Sequence, residues 1–116
     1  MPVVIPGPAG ATSGLQTLST VVVFDYEYTA DNLPLVNGEI LVWLGQDQAT
    51  VSNVVLESKR IRVVTDANGF WQLNLVPNLL IAPSGTFYVV RTPFRTYRVA
   101  IPGGTGPFQA SANLAP

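Results

Sequence analysis

From Arg62 to Pro102 the chain alternates short runs of β-branched and aromatic residues with clusters that reverse its direction: Asp66-Ala67-Asn68-Gly69, Pro83-Ser84-Gly85 and Pro93-Phe94. Glycine accepts a positive φ without strain and proline presets φ for a turn, so each cluster turns the backbone within a few residues. Runs this short leave no room for an amphipathic helix of useful length, and the segment must fold as strands.

The rest of the chain follows the same pattern. Ser19 to Tyr28 (STVVVFDYEY) alternates at its end, placing Phe24, Tyr26 and Tyr28 on one strand face, with Asp25 and Glu27 on the other as expected solvated charges. Glu39 to Leu44 predicts a second strand with Ile40, Val42 and Leu44 on one side and Trp43 on the opposite, partly covered side. Gln46 to Ser52 reads as a loop or edge segment, and Asn53 to Glu57 as a short strand.

Arg60 to Thr65 sets Arg60, Arg62 and Val64 against Ile61 and Val63, the pattern of a strand with one wet face. Phe70 to Leu75 groups Trp71, Leu73 and Leu75 and is expected to pair back onto Arg60 to Thr65 as a hairpin. Gly85 to Thr92 and Arg95 to Ile101 predict a further hairpin, with Tyr88 and Val90 facing one way and Phe87 and Val89 the other.

These segments predict an all-β fold: a single antiparallel Greek-key β-sandwich of about seven strands, immunoglobulin-like or transthyretin-like, with closure into a small barrel as the alternative. With no cysteine, the disulfide of antibody domains is excluded. At 116 residues the chain fits one such domain. The division expected is an extended Pro/Gly-rich N-terminal arm over 1–18 and a β-sandwich domain over 19–116. Three prolines and three glycines within Met1 to Gly14 deprive the backbone of hydrogen-bond donors and of fixed φ angles, which makes it an arm rather than part of the sandwich, and its two collagen-like triplets are too few for a triple helix. Val3, Val4 and Ile5 are apolar residues with no core of their own there, and are expected to contact a neighbouring subunit.

Composition narrows the function. Charged residues are 11% of the chain against about 25% in a typical soluble domain, while the apolar share is 47%. Isolated domains rely on charge for solubility, so part of this surface is expected to lie against copies of the chain or other proteins. A net charge of −1 without a large basic cluster excludes nucleic acid as a partner. No apolar run approaches a membrane span, and the N-terminus lacks the features of a secretory leader, so a soluble product without membrane insertion is expected.

Chemistry is excluded by the same inventory. The chain has no histidine and no cysteine, which removes the usual general base, the soft nucleophile and the usual zinc ligands. Lys59 is the only lysine, and no serine sits at a nucleophile elbow. Asp25 and Glu27, two apart on one face, have glycosidase-like spacing but read as solvated charges. Asp66-Ala67-Asn68-Gly69 opens like a calcium loop, yet Pro77 stands where that loop requires an acid. Pro102-Gly103-Gly104-Thr105-Gly106-Pro107 has no lysine and precedes no helix, so it is no phosphate loop. No catalytic residue, metal site or cofactor is expected.

Binding candidates remain. Arg91, Arg95 and Arg98 lie on or beside the last hairpin with Phe94, and Lys59, Arg60 and Arg62 begin an earlier strand. If the groups adjoin, they form a patch for an acidic partner surface or an anionic glycan; if not, they pair with acids across strands. Trp43 is a candidate for stacking on sugar, with core packing as the default for both tryptophans.

The run Val64-Thr65-Asp66-Ala67-Asn68-Gly69-Phe70-Trp71-Gln72-Leu73, with Leu75-Val76-Pro77-Asn78, Pro83 to Val90 and Tyr97 to Pro102, resembles the β-sandwich module of minor tail and tail-fibre proteins of tailed bacteriophages. It is similar also to carboxypeptidase regulatory-like, transthyretin-like domains. The resemblance covers about Ser19 to Pro116, with Asn37-Gly38-Glu39-Ile40 matching an early strand, and carries no catalytic residue. It implies a non-enzymatic structural protein of the virion, made in the host cytoplasm and bound to other virion proteins and to copies of itself. In long fibres the module precedes a trimeric shaft, whereas Pro116 closes this sequence; that favours a small stand-alone virion component, such as a minor tail protein or a capsid decoration protein, over a receptor-binding one. A minor tail or tail-fibre-associated adaptor is the reading expected. A capsid decoration protein and a module recognising a host-surface glycan are the alternatives.

Overall fold

Alternating sequences become strands wherever one side can be buried, and here two sheets supply each other's cover. The computed structural model describes residues 3–5, 16–46, 49–52, 54–56 and 59–116. Among these residues are eleven strands and no α-helix: β1 (Val3–Ile5), β2 (Gln16–Leu18), β3 (Val21–Tyr26), β4 (Glu39–Leu44), β5 (Ala49–Val51), β6 (Val54–Leu56), β7 (Ile61–Val64), β8 (Phe70–Leu75), β9 (Tyr88–Arg91), β10 (Thr96–Val99) and β11 (Phe108–Gln109). A four-stranded sheet runs β10-β9-β4-β7 and a three-stranded sheet β11-β3-β8, while β1-β2 and β5-β6 are separate two-stranded ribbons.

The inner faces of the two larger sheets form one core. Ile40, Val42 and Leu44 of β4 join Tyr88 and Val90 of β9, Val99 of β10, Val21 and Val23 of β3, and Trp71 and Leu75 of β8. The alternation expected for β4 and β9 is therefore observed, with Trp43 and Val89 half-buried on the outer side. The short β5-β6 ribbon adds Ala49 and Val51 to the core.

Several expectations are corrected, the first being the number of strands: eleven among the described residues rather than about seven. The strands β7 and β8 do not pair as a hairpin; β7 pairs with β4 and β8 with β3, both antiparallel. The turn between them instead carries the chain from one sheet to the other. Asp66 Oδ1 accepts hydrogen bonds from the Asn68 and Phe70 amides (2.8 and 3.0 Å), and the Gly69 carbonyl is taken by the Glu27 amide at 2.8 Å, beyond the end of β3. That last bond commits the start of β8 to β3. As the sheet's edge, β7 is wetter than its pattern implied, with Ile61 exposed as well as Arg62 and Val64.

Nor is the fold wholly antiparallel. β11 lies parallel to β3, Phe108 opposite Val23 and Gln109 opposite Phe24. The chain arrives there from β10 in the other sheet rather than doubling back on β3. It then returns to β10, where Leu114 bridges Val99 and the Ala115 amide donates to the Arg98 carbonyl at 2.9 Å. The C-terminal segment thus straps one side of the two sheets together.

In the N-terminal segment Val3, Val4 and Ile5 pair antiparallel with Leu18, Thr17 and Gln16. Their side chains, and the Pro/Gly stretch 6–15 with its collagen-like triplets, lie outside the described residues.

Gly69 and Gly85 distinguish backbone strain from steric conflict. Both have positive φ (77° and 86°), but a Cβ on Gly69 would stand 2.3 Å from the Glu27 carbonyl oxygen, while one on Gly85 would meet nothing within 4 Å. Gly85→Ala is expected to cost about 1 to 2 kcal/mol and Gly69→Ala roughly 3 kcal/mol or more, measured by urea unfolding.

Candidate functional site

Asp25 and Glu27 are not solvated: each is only 2% exposed. They share the parity of Val21 and Val23, which face the core, so all four side chains point inward and Phe24, Tyr26 and Tyr28 point out. Burying a carboxylate costs several kcal/mol unless donors replace water. The surrounding strands supply them.

Glu27 Oε2 accepts from Trp71 Nε1 of β8 (3.0 Å) and from the Tyr97 hydroxyl of β10 (2.7 Å). Its Oε1 accepts from Arg95 Nε at 3.0 Å and lies 3.0 Å from Nη2 of the same guanidinium. Asp25 Oδ1 accepts from the Tyr26 amide (2.7 Å) and Gln109 Nε2 (3.2 Å), and Oδ2 from the Ser111 amide (2.7 Å). The Tyr97 oxygen is also 3.5 Å from Asp25 Oδ2, but a phenol has one proton and the shorter bond to Glu27 takes it.

The electrostatics follow from this enclosure. Burial, then the charge and hydrogen bond of Glu27, push the Tyr97 phenol well above its ordinary value. For Arg95 burial acts against the charge, but the Glu27 hydrogen bond and carboxylate outweigh it and raise the pKa. The guanidinium also lies over the Tyr97 ring, 4.2 Å from its centroid.

An open cleft of about 410 Å³ borders the two acids, lined also by Tyr26, Tyr28, Arg95, Gln109 and Ser111. Every carboxylate oxygen beside it already holds a protein donor. The cluster is built to join strands, and it offers neither an unengaged general base nor a ligand set; among the described residues no group of acids is arranged to hold a metal ion.

The outer face of the four-stranded sheet has a different character. Residues directly opposite each other in antiparallel strands share a face. Leu41 on β4 stands between Arg91 of β9 and Arg62 of β7, and Trp43 stands beside Val89, which in turn faces Arg98 of β10. Arg60 reaches the same face, its guanidinium 4.5 Å from the Trp43 ring centroid, and Arg98 lies 5.1 Å from that of Phe87. Four of the chain's six positive side chains thereby gather on one surface, where among the described residues Glu39, paired to Arg62, is the carboxylate.

The two basic groups anticipated from sequence do adjoin, because β4 brings β7 and β9 to its two sides. Arg95 does not join them; it turns to Glu27. Phe94 is exposed at the tip of the β9-β10 hairpin, whose turn is held by the Thr92 hydroxyl accepting the Phe94 and Arg95 amides, both at 3.0 Å. Trp43 is half-buried on the basic face with Arg60 over its ring, while Trp71 is a core residue.

The other sheet presents an aromatic surface, with the expected shared face of Phe24, Tyr26 and Tyr28 turned outward. The rings of Phe24, Tyr26 and Phe70 lie 5.2 to 6.4 Å apart in tilted and edge-on contacts, and Tyr26 and Tyr28 are exposed. No protein-family model matches the chain, and no curated protein matches it in sequence.

Two measurements check this arrangement. Tyr97→Phe leaves a buried charged acceptor short of one donor and is expected to lower stability by about 1.5 to 3 kcal/mol. Tyr88, whose hydroxyl donates to the Val76 carbonyl at 2.7 Å, is also raised by burial. With folded-state values above the ordinary phenol value of about 10, both tyrosines stabilise fully below that pH. That contribution falls as pH rises above about 10, by up to about 1.4 kcal/mol per pH unit for each. Unfolding free energies measured from neutral to alkaline pH should show this decline, and a shallower one in Tyr97→Phe.

Proposed function

We propose that the chain is a non-enzymatic binding subunit: a structural protein of a tailed-phage virion, working as a small minor tail or tail-fibre-associated adaptor. The observation that carries a binding rather than a catalytic role is the division of polar chemistry between interior and surface. The buried acids are consumed by Trp71, Tyr97, Arg95, Gln109 and Ser111, while arginine and aromatic side chains stand on the outer faces. Arginine and aromatic residues are those that dominate protein–protein hot spots.

The virion assignment rests on the resemblance of the Val64 to Leu73 turn and the strands after it, together with the low charge content. On this reading the architecture is a Greek-key sandwich of immunoglobulin-like or transthyretin-like type, acting as a stiff body between larger parts. The exposed edge at β7 and the segment bearing Val3, Val4 and Ile5 provide further contacts. Capsid decoration is the second reading, favoured by the same two-faced surface. Glycan recognition through Trp43 is less well supported, since Arg60 already lies over its ring.

Gold-tagged antibody against the chain, applied to intact virions under the electron microscope, is expected to mark the tail or its fibres. Label over the head would replace the adaptor with a decoration protein, and no label would remove the virion assignment. Deleting residues 2–14 is expected to abolish incorporation while the remaining domain keeps its far-ultraviolet spectrum and thermal transition; normal incorporation would show that the segment makes no essential contact.

A further inference from the structure

We infer that the outer face of the four-stranded sheet docks an acidic polypeptide segment, one that alternates carboxylates with aliphatic side chains. The inference rests on the binding role proposed above and names the partner chemistry of that face. Neighbouring strands lie about 4.8 Å apart, which sets Arg91 and Arg62 roughly 10 Å apart across Leu41. In the adjacent row Arg98 and Arg60 flank Val89 and Trp43. The surface is thus two basic margins with an apolar strip between them.

Charge complementarity calls for an anion, and the strip decides which kind. A polysaccharide's hydroxyls both donate and accept, so arginine can meet them, but they offer no aliphatic side chain to cover the apolar strip. Among the described residues Glu39 is the carboxylate on this face, and it is already held by Arg62. An acidic peptide meets both requirements: its carboxylates accept from the guanidinium forks, and its aliphatic side chains cover Leu41 and Val89. An open cleft of about 370 Å³, lined by Glu39, Leu41, Arg91, Thr92 and Pro93, gives one such side chain a recess.

The two stacked arginines are suited to this task. Lying over Trp43 and Phe87, the Arg60 and Arg98 guanidiniums are partly ordered before any partner arrives, which lowers the entropy lost when they bind.

The test is a titration of the whole chain with a synthetic peptide alternating glutamate and leucine, and in parallel with oligogalacturonate of equal charge. Two-dimensional NMR reads out the Trp43 indole and the β4 and β9 amides. The peptide is expected to shift those resonances, to bind more tightly than the oligogalacturonate, and to weaken as salt is raised. The double variant Arg62→Gln/Arg91→Gln, still folded by its spectrum, should lose about tenfold or more in affinity.

Absence of shifts at millimolar peptide, shifts confined to the Asp25 cleft, or unchanged affinity in the double variant would each overturn the inference. Tighter binding of oligogalacturonate would assign the face to a glycan instead. Labelled tails with no peptide binding would refute this inference alone, whereas peptide binding with unlabelled virions would refute the virion assignment alone.

Discussion

Two carboxylates inside a small β domain with no histidine are the constraint from which the rest of this structure follows. Removing Asp25 and Glu27 from water is unfavourable by several kcal/mol each unless donors converge on them. The donors come from β8, from β10, from the loop before β10 and from the C-terminal segment. One cluster therefore links both sheets and anchors the strap that closes one side. Packing of Ile40, Val42, Val90 and Trp71 provides the bulk of the core, and the polar cluster fixes which edge meets which.

The same constraint shapes the outside. In a strand, side-chain direction alternates with a period of two, so seating Asp25 and Glu27 inward forces Phe24, Tyr26 and Tyr28 outward. Two of the chain's seven acids are thereby buried, and Arg95 is drawn to the cluster. The remaining arginines fall mostly on the opposite sheet, leaving one aromatic face and one basic face on a chain poor in charge.

Much of the fold was legible because local rules and tertiary packing agree there. The alternation in β4 and β9 and the Pro93-Phe94 hairpin appear where residue pattern places them. The pairing of β7 with β8 was misread because a tight turn joining two sheets uses the same Asp-Ala-Asn-Gly chemistry as a hairpin; only the partner of the next strand distinguishes them. The parity of β3 was misread for a stronger reason. Valine occupies both faces at its start, and the polarity of the following Phe-Asp-Tyr-Glu-Tyr favours the aromatics as the inner set. What overrides hydrophobicity is a set of donors distant in sequence: Trp71, Arg95, Tyr97 and Ser111. The one clue was that Trp71, assigned to the core, has an indole N–H that needs a buried acceptor. The basic face was visible only conditionally, since residues 60–62 and 91–98 adjoin through the sheet order.

The inverted parity of β3 is the central claim, and the absence of cysteine allows a direct measurement of it. Single cysteines placed at Val23, Phe24 and Tyr26, in variants shown to be folded, are reacted with a thiol reagent under native conditions. Exposure controls thiol access, so the account predicts rapid labelling at Phe24→Cys and Tyr26→Cys and protection at Val23→Cys. Protection at Phe24→Cys and Tyr26→Cys with rapid labelling at Val23→Cys would place the aromatics inside and the acids in water, and would contradict it.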